Sequence, residues 1–252
     1  MSQRKFDPSE DLWLNDLGRD EVKKRVKVLP EETIKKVKSI YLDRNGFIRI
    51  PRWLKRFINL ESIDLKINHI TKLEGLETLT KLQALSIEDN DIPKIQGLDN
   101  LKNLKYLTLG ESYHYLGGNK IRRIENLESL YNLEILELAN NKIQKIEGLD
   151  SLQNLKELDL AYNQIKVIEG LEKLSSLRKL HLNNNQIQHL DLSVIPSLEE
   201  LDLRDNPIKS ITGFKSLKKI ESFFIDPSDC DPLTQKEFHE NFGRYEFHSR
   251  IK

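Results

Sequence analysis

Histidine and cysteine side chains are the groups of this 252-residue chain best suited to acid–base, nucleophilic or metal chemistry. None of the histidines belongs to an H-E-x-x-H motif, and the chain has no G-x-S-x-G motif and no glycine-rich phosphate loop. His181, predicted to lie near Asp159 and Asp202 on adjacent coils, is the strongest acid–base grouping, but we expect it to serve binding rather than catalysis. The six histidines are His69, His114, His181, His189, His239 and His248.

A metal site has little support in the sequence. Asp229, Asp231, His239 and His248 form the best grouping of candidate ligands, but their spacing matches no metal-binding motif. We therefore expect a chain without catalytic activity, without a metal and without a cofactor.

The single cysteine, Cys230, limits the covalent chemistry and indicates the compartment. It excludes an intrachain disulfide and a cysteine-based zinc site. No apolar stretch near the start is long enough for a signal peptide, and no later run of about 18 apolar residues could span a bilayer. We expect the chain to act in the cytoplasm, with the nucleus as the alternative.

Charge is balanced over the whole chain, with 40 basic and 40 acidic residues. This balance argues against a uniformly cationic nucleic-acid binder. With 38% apolar residues, a chain of this length can bury a sizeable core. Any electrostatic role must therefore come from the way the charges are distributed over the fold.

The elements that position these residues come from a phrase that recurs about every 22 residues. In each copy an L-x-L pair precedes an asparagine, giving L-x-x-L-x-L-x-x-N, which is typical of leucine-rich repeats. Successive asparagines are 23, 22, 29, 22, 22, 22 and 21 residues apart. They are Asn45, Asn68, Asn90, Asn119, Asn141, Asn163, Asn185 and Asn206.

Each part of the phrase predicts part of one coil. The L-x-L alternation predicts a short strand with one buried face, and stacked coils join these strands into a parallel sheet. The asparagine turns the chain and bonds backbone groups of adjacent coils as a buried ladder. Glu-Gly-Leu then starts a short 3-10 or irregular outer segment, in which Asn126 once replaces the glycine. The predicted fold class is α/β, a curved, right-handed leucine-rich-repeat solenoid with a concave parallel sheet.

The repeats are predicted to run from residue 37 to residue 225 in about nine coils. Residues 1–36 are expected to form an N-terminal helical cap that opens at a capping box beginning with Asp7. Residues 226–252 are expected to form a C-terminal cap whose helix opens at Asp231-Pro232 and carries Leu233 and Phe238. Because the caps cover the open ends of the stack, the whole chain is expected to be one structural domain.

The phrase LxxLxLxxNxIxxIEGLxxLxxL stands almost verbatim at Leu133–Leu155 and Leu155–Leu177. It resembles the 22-residue subclass of leucine-rich repeats typified by the regulatory subunit of protein phosphatase 1, over residues 37–225. The resemblance implies that the concave sheet binds another protein, and it suggests a Ser/Thr phosphatase catalytic subunit as one such partner. Bacterial internalin-like proteins share the period, but those proteins are exported, and no export signal is visible in this sequence.

Strand alternation predicts which side chains face the concave side. Of the 27 residues before, between and after the L-x-L pairs, nine are acidic and three are basic, whereas the remainder holds 31 acidic and 37 basic residues. We therefore expect an acidic concave face that binds a basic partner protein; the alternative is that the carboxylates only keep an exposed sheet in solution. The predicted partner-binding residues are Tyr41, Asp64, Glu88, Tyr106, Tyr113, Tyr115, Ile135, Glu137, Glu157, Asp159, His181, Glu200, Asp202 and Phe224.

The 29-residue spacing marks an insertion of seven residues near 110–118, within the stretch LGESYHYLGGN. Insertions in repeat proteins often map to the binding face. Tyr113 and Tyr115 are therefore predicted partner contacts, and packing over the neighbouring coil is an equal alternative for both side chains.

A basic cluster around Trp53 offers a different function. It consists of KKRVK at residues 23–27 and RIPRWLKR at residues 49–56. Nucleic-acid or anionic-membrane association through this cluster is the alternative to protein binding. We favour the simpler interpretation that the first run is the solvated face of the capping helix, with Val22 and Val26 facing inward. We expect a monomer whose partner is a protein and not a nucleic acid.

Overall fold

A computed structural model describes residues 10–111, 117–195, 197–225 and 230–242. Twelve strands of three residues each occur in these ranges. They are β1 (Asp11–Trp13), β2 (Ser39–Tyr41), β3 (Ser62–Asp64), β4 (Ala84–Ser86), β5 (Tyr106–Thr108), β6 (Ile135–Glu137), β7 (Glu157–Asp159), β8 (Lys179–His181), β9 (His189–Asp191), β10 (Glu200–Asp202), β11 (Ser210–Thr212) and β12 (Ser222–Phe224).

Helices occupy the two ends of the described chain and parts of the outer side. The α-helices are α1 (Arg19–Lys27), α2 (Glu31–Lys36) and α3 (Pro232–Phe242). Three 3-10 turns, Arg52–Arg56, Leu192–Val194 and Phe214–Ser216, lie between strands. None of the helices in the described ranges is long and apolar enough to cross a bilayer.

The main sheet contains ten parallel strands in chain order, β1 to β8 followed by β10 and β12. All nine strands predicted from the L-x-L pairs are present, and they enclose about eight turns of a solenoid. Equivalent leucines stack in register, as Leu136 does opposite Leu158. Because every inward leucine meets its counterpart in the next coil, the core is a single continuous apolar cluster.

The predicted asparagine ladder is confirmed by the hydrogen bonds of Asn163. Its Oδ1 accepts from the backbone N–H of Ile143 in the preceding coil at 2.9 Å. Its Nδ2 donates to the carbonyls of Leu138 at 3.0 Å and Leu160 at 3.1 Å. The side chain therefore satisfies backbone groups of two coils where water cannot reach them.

The glycine of the Glu-Gly-Leu stretch is required by a close approach between coils. Gly148 has φ +70°, and a Cβ there would lie 2.5 Å from the carbonyl oxygen of Ile124. Asn126 fills the equivalent position with φ 59°, and its Nδ2 donates to the Ile95 carbonyl at 2.7 Å. Asparagine is tolerated because its amide bonds the preceding coil's carbonyl.

The N-terminal end differs from the predicted helix. Residues 11–13 form β1 instead of continuing a helix from Asp7, and α1 begins only at Arg19; Asp7 itself lies outside the described residues. Leu12 pairs with Ile40 in register, and Leu14 is buried, so Leu12-x-Leu14 is one more copy of the strand signal. Pairing with the sheet edge stabilises this segment more than a helix cap would, because β1 forms backbone hydrogen bonds to β2 along its length.

The last coils also depart from the regular pattern. The strands β9 and β11 form a second, two-stranded parallel sheet where earlier coils have irregular backbone. Here the Glu-Gly-Leu stretch is absent, and β11 contains the β-branched residues Ile211 and Thr212, which favour extended backbone. α3 begins at Pro232 as predicted and buries Phe238, but Leu233 is exposed and Thr234 is buried in its place.

Candidate protein-binding face

Three rows of side chains cross the solvent-facing, concave side of the main sheet. We call them the first, second and third rows. The first and second rows are fixed by the strand register, and the third follows each strand by two residues. The central part of the first row contains Tyr106, Ile135, Glu157, Lys179 and Glu200. The second row contains Trp13, Tyr41, Asp64, Ser86, Thr108, Glu137, Asp159, His181, Asp202 and Phe224. The third row contains Asp43, Lys66, Glu88, Gly110, Ala139, Ala161, Asn183 and Arg204.

An aromatic pair closes the N-terminal end of the second row. The rings of Trp13 and Tyr41 stack with centroids 3.7 Å apart and planes 6° apart. Trp13 is 51% exposed. Sequence reasoning found Tyr41 but missed Trp13, although Leu12-x-Leu14 carried the same strand signal as the later coils.

Lys66 neutralises two of the predicted acidic residues. Its Nζ lies 3.6 Å from Glu88 and 4.0 Å from Asp64, and Glu88 is buried. Burial raises the pKa of Asp64, although Lys66 acts in the opposite direction. Neither carboxylate is a free acceptor for a basic partner. Fewer of the predicted acidic residues are therefore available for binding.

Arg204 neutralises a third predicted acidic residue, Asp202, at the C-terminal end of the face. Its Nε donates to Asp202 Oδ1 at 2.9 Å and to Oδ2 at 3.2 Å, and Asp202 is buried. The guanidinium carbon also lies 4.9 Å from the centre of the Phe224 ring. This end is therefore an Arg204–Phe224 surface rather than an acidic one.

His181 lies between two carboxylates, but one of them is not the predicted residue. Its Nδ1 is 3.7 Å from Asp159, and its Nε2 is 3.3 Å from Glu200. Asp202, the second carboxylate predicted, is directly opposite in register but bonds Arg204 instead. Asp159, the largest influence, and Glu200 raise the pKa of His181 to about 9. The imidazole is therefore charged at neutral pH and is a poor general base.

Removing the His181 charge is expected to destabilise the fold in a pH-dependent way. The raised pKa means that the stabilisation is complete below the ordinary value of 6.5 and is lost as pH rises through about 9. Urea unfolding of His181→Ala should show a loss of about 1–2 kcal/mol near about pH 6, after discounting for solvent screening, and almost no loss near about pH 10. His189→Ala is the control, because exposed His189 bonds Ser210 and no carboxylate. A loss independent of pH would contradict the assignment.

Two carboxylates that form no ion pair in the described chain, Glu137 and Glu157, lie at the centre of the face. Burial raises the pKa of Glu137 to about 7, with added repulsion from Glu88, Asp159 and Glu157. Among the described residues, no lysine, arginine or histidine forms an ion pair with Glu137 or Glu157. We call Glu137 and Glu157 the central acidic pair.

The surroundings of the central acidic pair leave room for a ligand. Ile135 and Tyr106, both half-buried, lie beside Glu157 in the first row. Beyond Glu137, the third row carries Gly110, Ala139 and Ala161, whose side chains are small or absent. The central acidic pair therefore has apolar contact area on one side and a shallow depression, formed by the small third-row residues, on the other.

The insertion follows Gly110, one of the small residues of the third row. Tyr113 and Tyr115 lie outside the described residues, so their predicted role remains a prediction. The flanking residues are fixed: Asn140 Nδ2 donates to Glu111 Oε2 at 2.7 Å, and the Gly118 N–H donates to Asp89 Oδ1 at 3.3 Å. Both bonds attach the base of the insertion to neighbouring coils.

The proposed metal grouping is only partly within the described chain. Asp229 and His248 lie outside it, while Asp231 accepts from the Thr234 N–H at 2.9 Å at the start of α3. Within the described ranges, no three His, Cys, Asp or Glu side chains come together as metal ligands.

The stacked coils, the buried asparagine ladder and the open parallel sheet define a leucine-rich-repeat fold. Family models agree with this classification: "Leucine Rich repeats (2 copies)" matches residues 115–151 and 153–194, and "Leucine Rich Repeat" matches residues 197–219. No curated protein sequence matches the chain.

Solved structures show the same fold. An internalin (inlF) from Listeria monocytogenes is 29% identical with a TM-score of 0.66, covering 79% of this chain and 56% of that chain. Internalin C2 (inlC2) from the same organism is 26% identical with a TM-score of 0.65, covering 79% and 84%. TLR13, in a complex with ssRNA13, is 21% identical with a TM-score of 0.68, covering 86% and 36%, and shows the fold alone. The match therefore spans little more than half the length of the inlF chain.

Proposed function

We propose that this chain is a protein-interaction module that binds a partner protein on its concave face, at the central acidic pair. The observation that carries the proposal is the position of Glu137, which is half-buried near Glu157 and, like Glu157, forms no ion pair in the described chain, whereas neighbouring Glu88 and Asp159 pair with Lys66 and His181. Like charges held together in a partly desolvated place cost stability. A positively charged group from a partner would remove that cost.

The arrangement favours a partner that inserts a lysine or arginine side chain between Glu137 and Glu157. Tyr106 and Ile135 would supply apolar area beside the inserted cation. The same face ends in the Trp13–Tyr41 stack on one side and the Arg204–Phe224 contact on the other. A partner that spans these ends would bury aromatic contacts around a charged centre, which is a usual arrangement of binding hot spots.

The proposal describes binding without catalysis by a monomer inside the cell, as expected from the sequence. A narrower version makes the partner a Ser/Thr phosphatase catalytic subunit. That version rests only on the resemblance of the repeat phrase, and titration with the purified catalytic subunit tests it.

Photo-crosslinking tests the face directly. Tyr106 is half-buried on the concave face, whereas Tyr131, 48% exposed, precedes β6 outside the three rows. A photoreactive phenylalanine replacing Tyr106 is expected to form adducts with a partner in native lysate, and the same group replacing Tyr131 is not. Equal adducts from the two positions, or adducts from position 131 alone, would contradict the concave-face proposal.

A further inference from the structure

A second surface lies near the N-terminal end, away from the three rows. An open groove of about 660 Å3 runs between α1 and the segment after Asn45, and it is lined by Arg19, Asp20, Lys23, Phe47, Arg49, Ile50, Pro51, Arg52 and Trp53. A smaller hollow of about 290 Å3 adjoins it and shares Arg49, Ile50 and Arg52. We call the two adjoining hollows together the basic groove.

The structure divides the basic cluster that the sequence analysis noted. Val22 and Val26 are buried, so α1 turns its charged side outward as predicted. Lys23 lines the basic groove together with Arg49 and Arg52, whereas Arg25 pairs with Glu21 along the helix at 3.0 Å. Only part of the cluster therefore contributes to the groove.

Four cations that form no ion pair in the described chain are gathered at the basic groove. Arg19, Lys23, Arg49 and Arg52 form no ion pair with any carboxylate in the described chain. Elsewhere, most lysines and arginines near carboxylates pair across coils, as Arg123 does with Glu147 at 2.8 Å. Asp20 is the carboxylate that lines the larger hollow, and Glu74 of the smaller hollow pairs with Lys72 at 3.6 Å. The four cations therefore produce a local positive potential in a chain of zero net charge.

The floor of the basic groove is apolar. Phe47 and Ile50 are 7% and 5% exposed, Pro51 is buried, and half-buried Trp53 packs edge-on against Phe57 with centroids 5.9 Å apart. An apolar floor between arginines suits a ligand that alternates carboxylates with apolar side chains. Arginine also binds carboxylates through two parallel hydrogen bonds.

We propose that the basic groove binds an extended, acidic peptide segment of a partner protein. Its carboxylates pair with Arg49 and Arg52, and an apolar side chain rests on Phe47 and Ile50. The recessed floor disfavours a flat bilayer, which contacts protruding groups. It also disfavours single-stranded nucleic acid, because Trp53 is half-buried and packs against Phe57 instead of presenting a free stacking platform. This inference is independent of the concave face.

The experiment measures binding of the full chain to an array of extended peptides in which glutamate alternates with each apolar residue type. Binding is expected for a subset with a large apolar residue, and it should weaken with salt. The double variant Arg49→Ala/Arg52→Ala should weaken binding at least about tenfold. Arg49→Lys/Arg52→Lys should weaken binding less, because lysine keeps the positive charge but loses the two parallel hydrogen bonds of a guanidinium.

Matched controls make the outcome decisive. Arg122→Ala/Lys166→Ala removes two exposed cations that lie outside the groove and form no ion pair in the described chain, and it should leave peptide binding unchanged. Absence of peptide binding, or binding insensitive to Arg49 and Arg52, would overturn the proposal. Capture of a single-stranded oligonucleotide or of phosphatidylserine vesicles through Arg49 and Arg52, with no peptide bound, would overturn it as well.

Discussion

Reversing the central acidic pair, as Glu137→Lys/Glu157→Lys, is expected to weaken binding of the partner at least about 100-fold, or about 3 kcal/mol. The reversal replaces two acceptors of a partner cation by two groups that repel it. Partly desolvated charges interact more strongly than exposed ones, and both side chains are half-buried. The measurement is titration calorimetry with the partner recovered by crosslinking at position 106.

The fold should survive this reversal, which separates loss of binding from loss of structure. Glu137 lies beside Glu88 and Asp159, so a lysine at position 137 replaces repulsion from these two carboxylates by attraction, while the two introduced lysines repel each other as the two glutamates did. The thermal midpoint should therefore be unchanged or slightly higher. Glu128→Lys/Glu172→Lys is the matched control, since both residues are exposed, outside the rows and without an ion pair in the described chain. Equal weakening by both double variants would contradict the assignment.

The pH dependence of the same affinity provides a second check on the reversal. Glu137 has a pKa of about 7 in the free chain, and a bound cation must lower it. Affinity is therefore expected to rise as pH increases towards about 7 and to level off above it, with a proton released on binding. Glu137→Gln should flatten this rise. A rise that persists in Glu137→Gln would assign the proton to another group.

Replacing Asn163 by alanine is expected to lower the free energy of unfolding by about 3 kcal/mol. The change leaves the buried N–H of Ile143 without its partner, whereas the carbonyls of Leu138 and Leu160 lose one of two donors and keep their bonds from Asn141 and Asn185. The unbonded N–H costs about 1–3 kcal/mol, and the lost bonds to the two carbonyls add to that cost. Thermal unfolding should shift by roughly 5–10 °C.

Asn154→Ala is the matched control for Asn163→Ala. Asn154 is exposed and donates one bond to the Tyr131 carbonyl at 2.9 Å, so its loss should cost less than about 0.5 kcal/mol. Hydrogen exchange should speed up most at the Ile143 amide in the Asn163 variant. Similar losses from the two alanine variants would show that the ladder contributes no more than a surface bond.

Much of the fold could be predicted because the structure of each coil depends mainly on residues close together in the sequence. The L-x-L pairs placed all nine repeat strands, and the asparagines placed the ladder, since both depend on residues a few positions apart. β1 was missed because Leu12-x-Leu14 lacks the asparagine that marks eight of the nine predicted strands, and because residues 1–36 were assigned to a helical cap. β9 and β11 were missed because their extended backbone depends on stacking between coils that have lost the Glu-Gly-Leu stretch.

The candidate site could be predicted as a surface but not as a charge pattern. Strand alternation assigned Glu137, Glu157 and His181 to the rows correctly. It could not show that Lys66 and Arg204 turn back onto acidic neighbours, because long side chains choose among partners within reach in three dimensions. The acidic face predicted from counts is therefore confined to a smaller centre.

The insertion between β5 and β6 leaves the ladder of the adjoining coils intact. Asn119, which follows it, still donates to Ile87 at 3.0 Å and Leu109 at 2.9 Å, and its Oδ1 accepts from the Ile92 N–H at 3.0 Å. The scaffold thus has a natural grafting point: foreign loops spliced between Glu111 and Gly117 should be displayed at the rim without disturbing the architecture that carries them.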